Sequence, residues 1–308
     1  MMSEVGEVFS AQKDGTPPLM LASGHAPGES GVSVASLEFE GGAHFSGLPR
    51  QHLISFVSQT RIRCRLAGET LCHDAHEGSL AICPAGLDTG ADTDQDVSVV
   101  LIAVQPHKLA LAAAEYGTLE AQLVGRLSGH DQALLDIAHM LVLEGKNGYP
   151  RGTIFWNETA SRFIDTLAVS HTGITPQASG TLGNGTLRLL REFILEHLNE
   201  PLDVAALAGM ASLSQYHFSR AFARSVGISP YQYVIHLRLK RAVEMVRDGR
   251  GGLAEIAAKT GFSDQSHLTR WVRRVHGVSP TQLPGRARLD RQESSRWPEA
   301  GLLNSEGR

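Results

Sequence analysis

The chain has 308 residues, 42% hydrophobic and 19% charged, which is length enough for two ordinary domains with proper cores. No apolar run approaches the eighteen or so residues that span a bilayer. The start, MMSEVGEVFSAQKDGTPP, lacks the basic stretch and apolar core of a secretory signal, so a cytoplasmic protein without a membrane segment is expected. The net charge of −4 conceals a division: residues 1–185 hold 10 Lys+Arg against 20 Asp+Glu, whereas residues 186–286 hold 14 against 8. A basic module joined to an acidic front half points to a polyanionic partner for the back half alone.

Residues 1–20 lack periodicity and carry a Pro-Pro pair, and they read as a flexible arm. From about 32 to 105 the pattern is strand-like, with HLISFVS, RIRCRLAG, SLAICPAG and VSVVLIAVQP the clearest runs. Arg61, Arg63 and Arg65 alternate with Ile62, Cys64 and Leu66, the period of a strand with one wet face. Strands this short and this closely spaced predict a small β-barrel or sandwich. Within them His73, Asp74, His76 and Glu77 form the densest group of potential metal ligands. They read as a polar turn between strands, because no further ligand from a distant strand is identifiable. Cys64, Cys72 and Cys83 are an odd number at spacings that suit no disulfide framework or zinc site, and they read as small core hydrophobes.

The pattern changes near residue 107. QPHKLALAAAEYG, HDQALLDIAHMLVLEG and TIFWNETASRFIDTLAVS read as helices, the second with Leu134, Ile137, Ala138 and Leu141 in one apolar stripe. Residues 171–186, HTGITPQASGTLGNGT, have the composition of a linker. Residues 287–308 have no apolar periodicity and read as a disordered tail.

Between linker and tail, residues 187–286 contain a repeat. SLSQYHFSRAFARSVGISP (212–230) matches GFSDQSHLTRWVRRVHGVSP (261–280) in order of parts. Ser219-Arg220 precedes Thr269-Arg270 by fifty residues, as Gly227 precedes Gly277 and Ser229-Pro230 precedes Ser279-Pro280. Each copy has the grammar of a helix-turn-helix. A short Ala-rich helix (DVAALAGMA or LAEIAAKT) comes first, then a turn where a Ser caps the next helix, then a second helix closed by a C′ glycine. Phe218, Ala221 and Phe222 face inward in the first copy; Leu268, Trp271 and either Val272 or Val275 do so in the second. The opposite faces present Ser214, Gln215, Tyr216, Ser219, Arg220 and Arg224, and Gln265, Ser266, His267, Thr269, Arg270, Arg273 and Arg274. These side-chain types hydrogen-bond base edges and phosphates, and the major groove admits such a helix. Arg220 and Arg270 are placed for a base or phosphate; Arg273 and Arg274 suit phosphates. A helix over about 231–248, with Leu239, Ala242, Val243 and Val246 as its apolar stripe, joins the copies.

Residues 186–285 resemble the DNA-binding domain of the AraC/XylS family of bacterial transcription regulators. The matching motifs are Ala205 to Ala208, Ser214 to Phe222, Gly227 to Pro230, Tyr233 to Ala242 and Ile256 to Ser266. Val272 departs where the family usually has Phe, and Leu283-Pro284 where it usually has an aromatic and Arg. The resemblance implies an α+β chain with a cupin-like β-barrel and helices over 21–170, for effector binding and dimerisation, and an all-α domain with two helix-turn-helix motifs over 187–286. It implies a homodimer that binds double-stranded promoter or operator DNA and answers to a small-molecule effector. Such a regulator would activate through contact with RNA polymerase and needs no cofactor, metal or catalytic residue. The alternatives are a metal-dependent cupin enzyme carrying a DNA-binding module and a regulator without any ligand.

Overall fold

The computed structural model describes residues 6–25, 30–115, 121–174, 181–283 and 285. Ten strands come first: β1 (Gly6–Gln12), β2 (Leu19–His25), β3 (Val32–Phe39), β4 (Ala43–Pro49), β5 (His52–Val57), β6 (Thr60–Leu66), β7 (Glu69–Ala75), β8 (Ser79–Cys83), β9 (Thr89–Thr93) and β10 (Val97–Val104). They form two five-stranded sheets, ordered β1-β4-β9-β6-β7 and β2-β3-β10-β5-β8, with antiparallel pairing throughout. The strand order over β3–β10 is that of a double-sheet jelly roll, the architecture cupins use.

All four runs singled out in the sequence are strands: β5, β6, β8 and β10. In β6 the arginines at 61, 63 and 65 are exposed while Thr60, Ile62, Cys64 and Leu66 are buried. Three expectations fail. The arm expected over 1–20 contains β1, paired with β4 from Gly6↔Pro49 to Gln12↔Ala43, and the first residues of β2; the partners of β1 lie some thirty residues or more away, beyond the reach of local periodicity. Of the four residues read as a polar turn, His76 and Glu77 do lie between β7 and β8, but His73 and Asp74 belong to strand β7, on alternate faces, so Asp74 is exposed while His73 points between the sheets. Cys72 is exposed, unlike the buried Cys64 and half-buried Cys83.

The second sheet is apolar on both faces. Val34, Ile54, Phe56, Ile102 and Val104 meet helices α1 (Pro106–Glu115), α2 (Gln132–Lys146) and α3 (Gly152–Ser170), while the alternating Leu37, Leu53, Val99 and Leu101 face the first sheet; the period-2 geometry of a strand makes both possible. The helices match the three helical segments of the sequence. The Leu134, Ile137, Ala138 and Leu141 stripe of α2 is buried, and α2 starts on Asp131, which accepts the Leu134 N–H at 3.0 Å. Close approach of α2 to β2 depends on glycines on both sides: a Cβ on Gly24 would lie 2.9 Å from Gly145 Cα. Fully buried Trp156 of α3 fills the centre of this layer.

Parts of the linker expected over 171–186 belong to regular elements. Thr172–Ile174 (β12) pairs with Ala121–Leu123 (β11), and the first helix of the back half already starts at Asn184. Residues 175–180, like the expected tail over 287–308, lie outside the described residues. Six helices follow: α4 (Asn184–Glu196), α5 (Val204–Met210), α6 (Gln215–Val226), α7 (Pro230–Arg247), α8 (Leu253–Lys259) and α9 (Gln265–His276), then a 3₁₀ turn at Pro280–Gln282. They enclose two cores. Tyr233, Val234 and Leu237 of α7 belong to the first, around Phe218 and Phe222. Ile235, Leu239, Ala242, Val243 and Met245 belong to the second, around Leu268 and Val272. Among the described residues no helix is long and apolar enough to cross a membrane.

Candidate nucleic-acid interface

Each half of the module is built by the same local chemistry. In the first, the Asp203 carboxylate accepts the Ala205 N–H at 3.1 Å and starts α5. The small side chains of α5 then let α6 approach, with Leu207 and Ala208 buried beneath it. Ser214 starts α6 by accepting the His217 N–H at 3.4 Å, and its Oγ lies 2.8 Å from His217 Nδ1. In the second half the cap is Asp264, not a serine: its carboxylate accepts the His267 N–H at 2.7 Å, and Ser263 turns aside to Asp264 and the His267 ring. A carboxylate does the same work as a hydroxyl there and also complements the positive helix N-terminus. The backbone N–H of His267 and the hydroxyl of Ser263 hold the Asp264 pKa below its ordinary value. Helices α6 and α9 end on Gly227 (φ +80°) and Gly277 (φ +73°), in the left-handed conformation that a C′ glycine adopts without strain. Capping boxes repeat too, at Ser229/Gln232 and at Ser279/Gln282.

The outer faces match the sequence reading closely. Gln215, Tyr216, Arg220 and Arg224 of α6 are exposed and Ser219 is half-buried; Gln265, Ser266, Arg270, Arg273 and Arg274 of α9 are exposed and Thr269 is half-buried. The inner faces pack Phe218, Ala221, Phe222 and Val226 into one core and Leu268 and Val272 into the other. Val272, where the family usually has Phe, is fully buried and fits the second core as it stands. Tyr216 is 64% exposed and accepts a hydrogen bond from Arg220 Nη1 at 2.7 Å, so the two side chains start from a shared orientation. The Arg274 guanidinium sits 5.2 Å from the centre of the Trp271 ring. His267 behaves differently from its neighbours. Its Nε2 accepts the Trp271 indole N–H at 3.0 Å, and its Nδ1 lies 3.1 Å from Ser263 Oγ. Both nitrogens are engaged inside the unit, where His267 holds the start of the helix.

Sequence reading missed one residue that organises the interface. Arg238, on α7, donates from Nε to Leu198 O at 2.9 Å and from Nη2 to Glu200 O at 2.6 Å. It thereby binds the chain just past α4 to the connector. Gly261, at the turn of the second unit (φ +79°), fits against this pair: a Cβ there would lie 2.4 Å from Leu198 O and 2.6 Å from Arg238 Nε. The only signal in the sequence is an arginine between Leu237 and Leu239, both of the apolar stripe of that helix.

The module also rests on the front half, and by the ends of α6 and α9 away from Ser214 and Asp264. Leu111 of α1 is part of the first unit's core, and a Cβ on Gly227 would meet Ala110 Cβ at 3.6 Å. In the second unit, Asn157 Nδ2 of α3 donates to His276 O at 3.0 Å, and Glu158 pairs with Arg247 at 2.7 Å, both side chains about a quarter exposed. Burial, with Arg247, Lys108 and His236 nearby, pushes the His276 pKa down to about 4. Among the described residues no three His, Cys, Asp or Glu side chains group as metal ligands.

Comparison with known proteins places this geometry. A family profile described as a helix-turn-helix domain matches residues 207–286. The chain is 36% identical over 94 residues to the probable transcriptional regulator LumQ of Photobacterium leiognathi, covering 30% of this chain and 38% of that protein. It is 28% identical over 149 residues to the transcriptional activator RhaS of Escherichia coli, covering 48% and 51%. It thus spans from about two fifths to half the length of these curated relatives. Among solved structures, ToxT of Vibrio cholerae superposes at a TM-score of 0.34 with 10% identity, over 82% of this chain and 97% of that one. The DNA-binding domain of AdpA in complex with a target DNA superposes at 0.30 with 30% identity, over 35% and 93%. The duplicated unit over residues 207–286 is a helix-turn-helix domain of the AraC/XylS type.

Proposed function

We propose that this chain is a sequence-specific transcription regulator of the AraC/XylS type that binds promoter DNA as a homodimer, two helix-turn-helix units per chain. One observation carries the reading: two related helices, α6 and α9, expose basic, hydrogen-bonding faces while one rigid connector belongs to the cores of both. The eighteen residues of α7 span about 27 Å at 1.5 Å per residue. That is within a helix width of the roughly 34 Å separating successive major grooves on one face of a duplex. In this reading Gln215, Tyr216, Ser219 and Arg220 enter one groove, and Gln265, Ser266, Thr269 and Arg270 the next. Ser214, Arg224, Arg273 and Arg274 serve phosphates.

The front half receives a small-molecule effector and passes its state to the DNA module through α1 and α3, whose contacts with α6, α7 and α9 set how the two units are presented. An effector that favours one such arrangement shifts its population. Activation proceeds through contact with RNA polymerase.

The test is an electrophoretic shift on a selected binding site. Arg220→Ala and Arg270→Ala each cost about 1–3 kcal/mol and relax preference at one base position. If the double variant binds the same sequences with the same affinity, the assigned reading helices are wrong.

A further inference from the structure

The two sheets enclose a cavity of about 130 Å³ whose wall is almost wholly apolar, with Leu37, Phe39, Leu53, Ile62 and Leu101 among the lining side chains. Its volume approaches that of the engineered, Leu/Ile/Phe-lined cavity of roughly 150 Å³ that stays dry and binds benzene. Every strand from β1 to β10 contributes to the wall. The lining reaches from Ser10 on edge strand β1 to His73 on edge strand β7, four strand spacings or about 19 Å at ~4.8 Å each, so the lined space runs across the full width of the sheet.

Two features give this cavity a chemical preference. The first is a pair of buried polar atoms, Ser10 Oγ and His73 Nδ1, neither of which has a hydrogen-bond partner. Both residues line the cavity, one from each edge strand of the first sheet. A folded protein seldom leaves such atoms unsatisfied. The second is that the charged groups at the wall are already engaged: Arg65 pairs with Asp88 at 3.4 Å, and Asp92 Oδ1 lies 2.6 Å from His44 Nδ1. The thiols of Cys64 and Cys83 stay protonated, since burial pushes both pKa values up, and they present soft apolar surface.

We propose that this cavity binds an uncharged, elongated and largely apolar small molecule, with a hydrogen-bonding group at an end that meets His73 Nδ1 or Ser10 Oγ. The proposal rests on the regulator reading for its purpose: β10, which supplies Val97, Val99 and Leu101 to the wall, leads directly into α1 and so to the core of the first DNA-binding unit. It distinguishes sharply among effector classes. A sugar or an amino acid would leave its own polar groups unpaired against this wall, and a carboxylate would find the Arg65 guanidinium already paired with Asp88.

The test is equilibrium binding to the full chain of butylbenzene, 4-butylphenol, 4-butylbenzoate and D-galactose. We expect 4-butylphenol to bind about two- to tenfold more tightly than butylbenzene, the range one hydrogen bond supplies, with 4-butylbenzoate the weakest of the aromatic probes and no binding of D-galactose. His73→Phe or Ser10→Ala should remove the phenol's advantage and leave butylbenzene unchanged, and Ser55→Leu, which fills the cavity from β5, should abolish both. If Ser55→Leu does not fold, the other two variants decide. The proposal is overturned if no aromatic probe binds, if the benzoate or the sugar binds best, or if the phenol's advantage survives both His73→Phe and Ser10→Ala. Sequence-specific DNA binding is measured on the same preparation. Its presence without probe binding overturns the cavity proposal alone, and its absence with probe binding intact overturns the regulator reading alone.

Discussion

Replacing Gly261 by alanine tests how the two DNA-binding units are held together. At φ +79° an alanine costs about 1–2 kcal/mol for the left-handed conformation alone. The new methyl would also lie 2.4 Å from Leu198 O and 2.6 Å from Arg238 Nε, closer than real contacts allow. Relief requires that Arg238 give up at least one of its hydrogen bonds to Leu198 O and Glu200 O, each about 1.5–3 kcal/mol for a charged donor. The expected loss is therefore about 2.5–5 kcal/mol. Gly249 is the control: its φ is +66° and nothing lies within 4 Å of a Cβ there, so Gly249→Ala should cost only the conformational part. Native-state hydrogen exchange in α8 and α9 under increasing urea reads both losses locally. The close approach to Arg238 would be refuted if the two variants destabilised these helices equally. Gly261→Ala should also weaken DNA binding, although it alters no residue of the reading faces.

Arg273→Gln and Arg274→Gln should each lower the slope of log affinity against log salt by about one, and affect all DNA sequences alike, in filter-binding titrations. Glu158→Gln should destabilise the docking of the DNA module on α3 by roughly 1–3 kcal/mol. A double-mutant cycle with Arg247→Met should show coupling, as an ion pair of which three quarters is buried requires. His276 titrates near pH 4 when folded and near 6.5 when unfolded, so the unfolded chain binds more protons between those values. Stability should hold above pH 6.5 and fall as the pH drops toward 4, by about 3 kcal/mol at the most. His276→Asn should flatten that part of the urea-midpoint profile.

The DNA-binding module was legible because its signals are local and occur twice. Ser214, Gly227, Ser229-Pro230 and their counterparts fifty residues later act on the nearest turn of backbone, and the structure leaves each where its chemistry demands. The cap at Asp264 was misread only because a serine stands one position earlier. The front half was legible wherever one strand alternates on its own account, as β6 does. It was not legible where partners are distant: β1 shows no pattern until β4 is beside it, and His73 looks like a turn residue until β6 fixes its facing. The contacts of Leu111, Asn157 and Glu158 with the back half left no mark at all, since each lies on a helix whose apolar stripe is accounted for by its own layer. The cavity is a third case. Ser10 and His73 come from strands at opposite edges of one sheet, and only the fold brings them to the same space.

Because α7 contributes side chains to two cores, the connector and the reading faces answer to different constraints. Nearly every interior contact of α6 and α9 is made by the inward positions, while Gln215, Ser266 and Arg270 carry little of the fold's stability. The outward side chains are therefore free to be exchanged for others without endangering the scaffold, and a new target sequence could be acquired by altering a few of them. A change on the connector has no such freedom: it disturbs both halves at once, and with them the spacing at which any target is read.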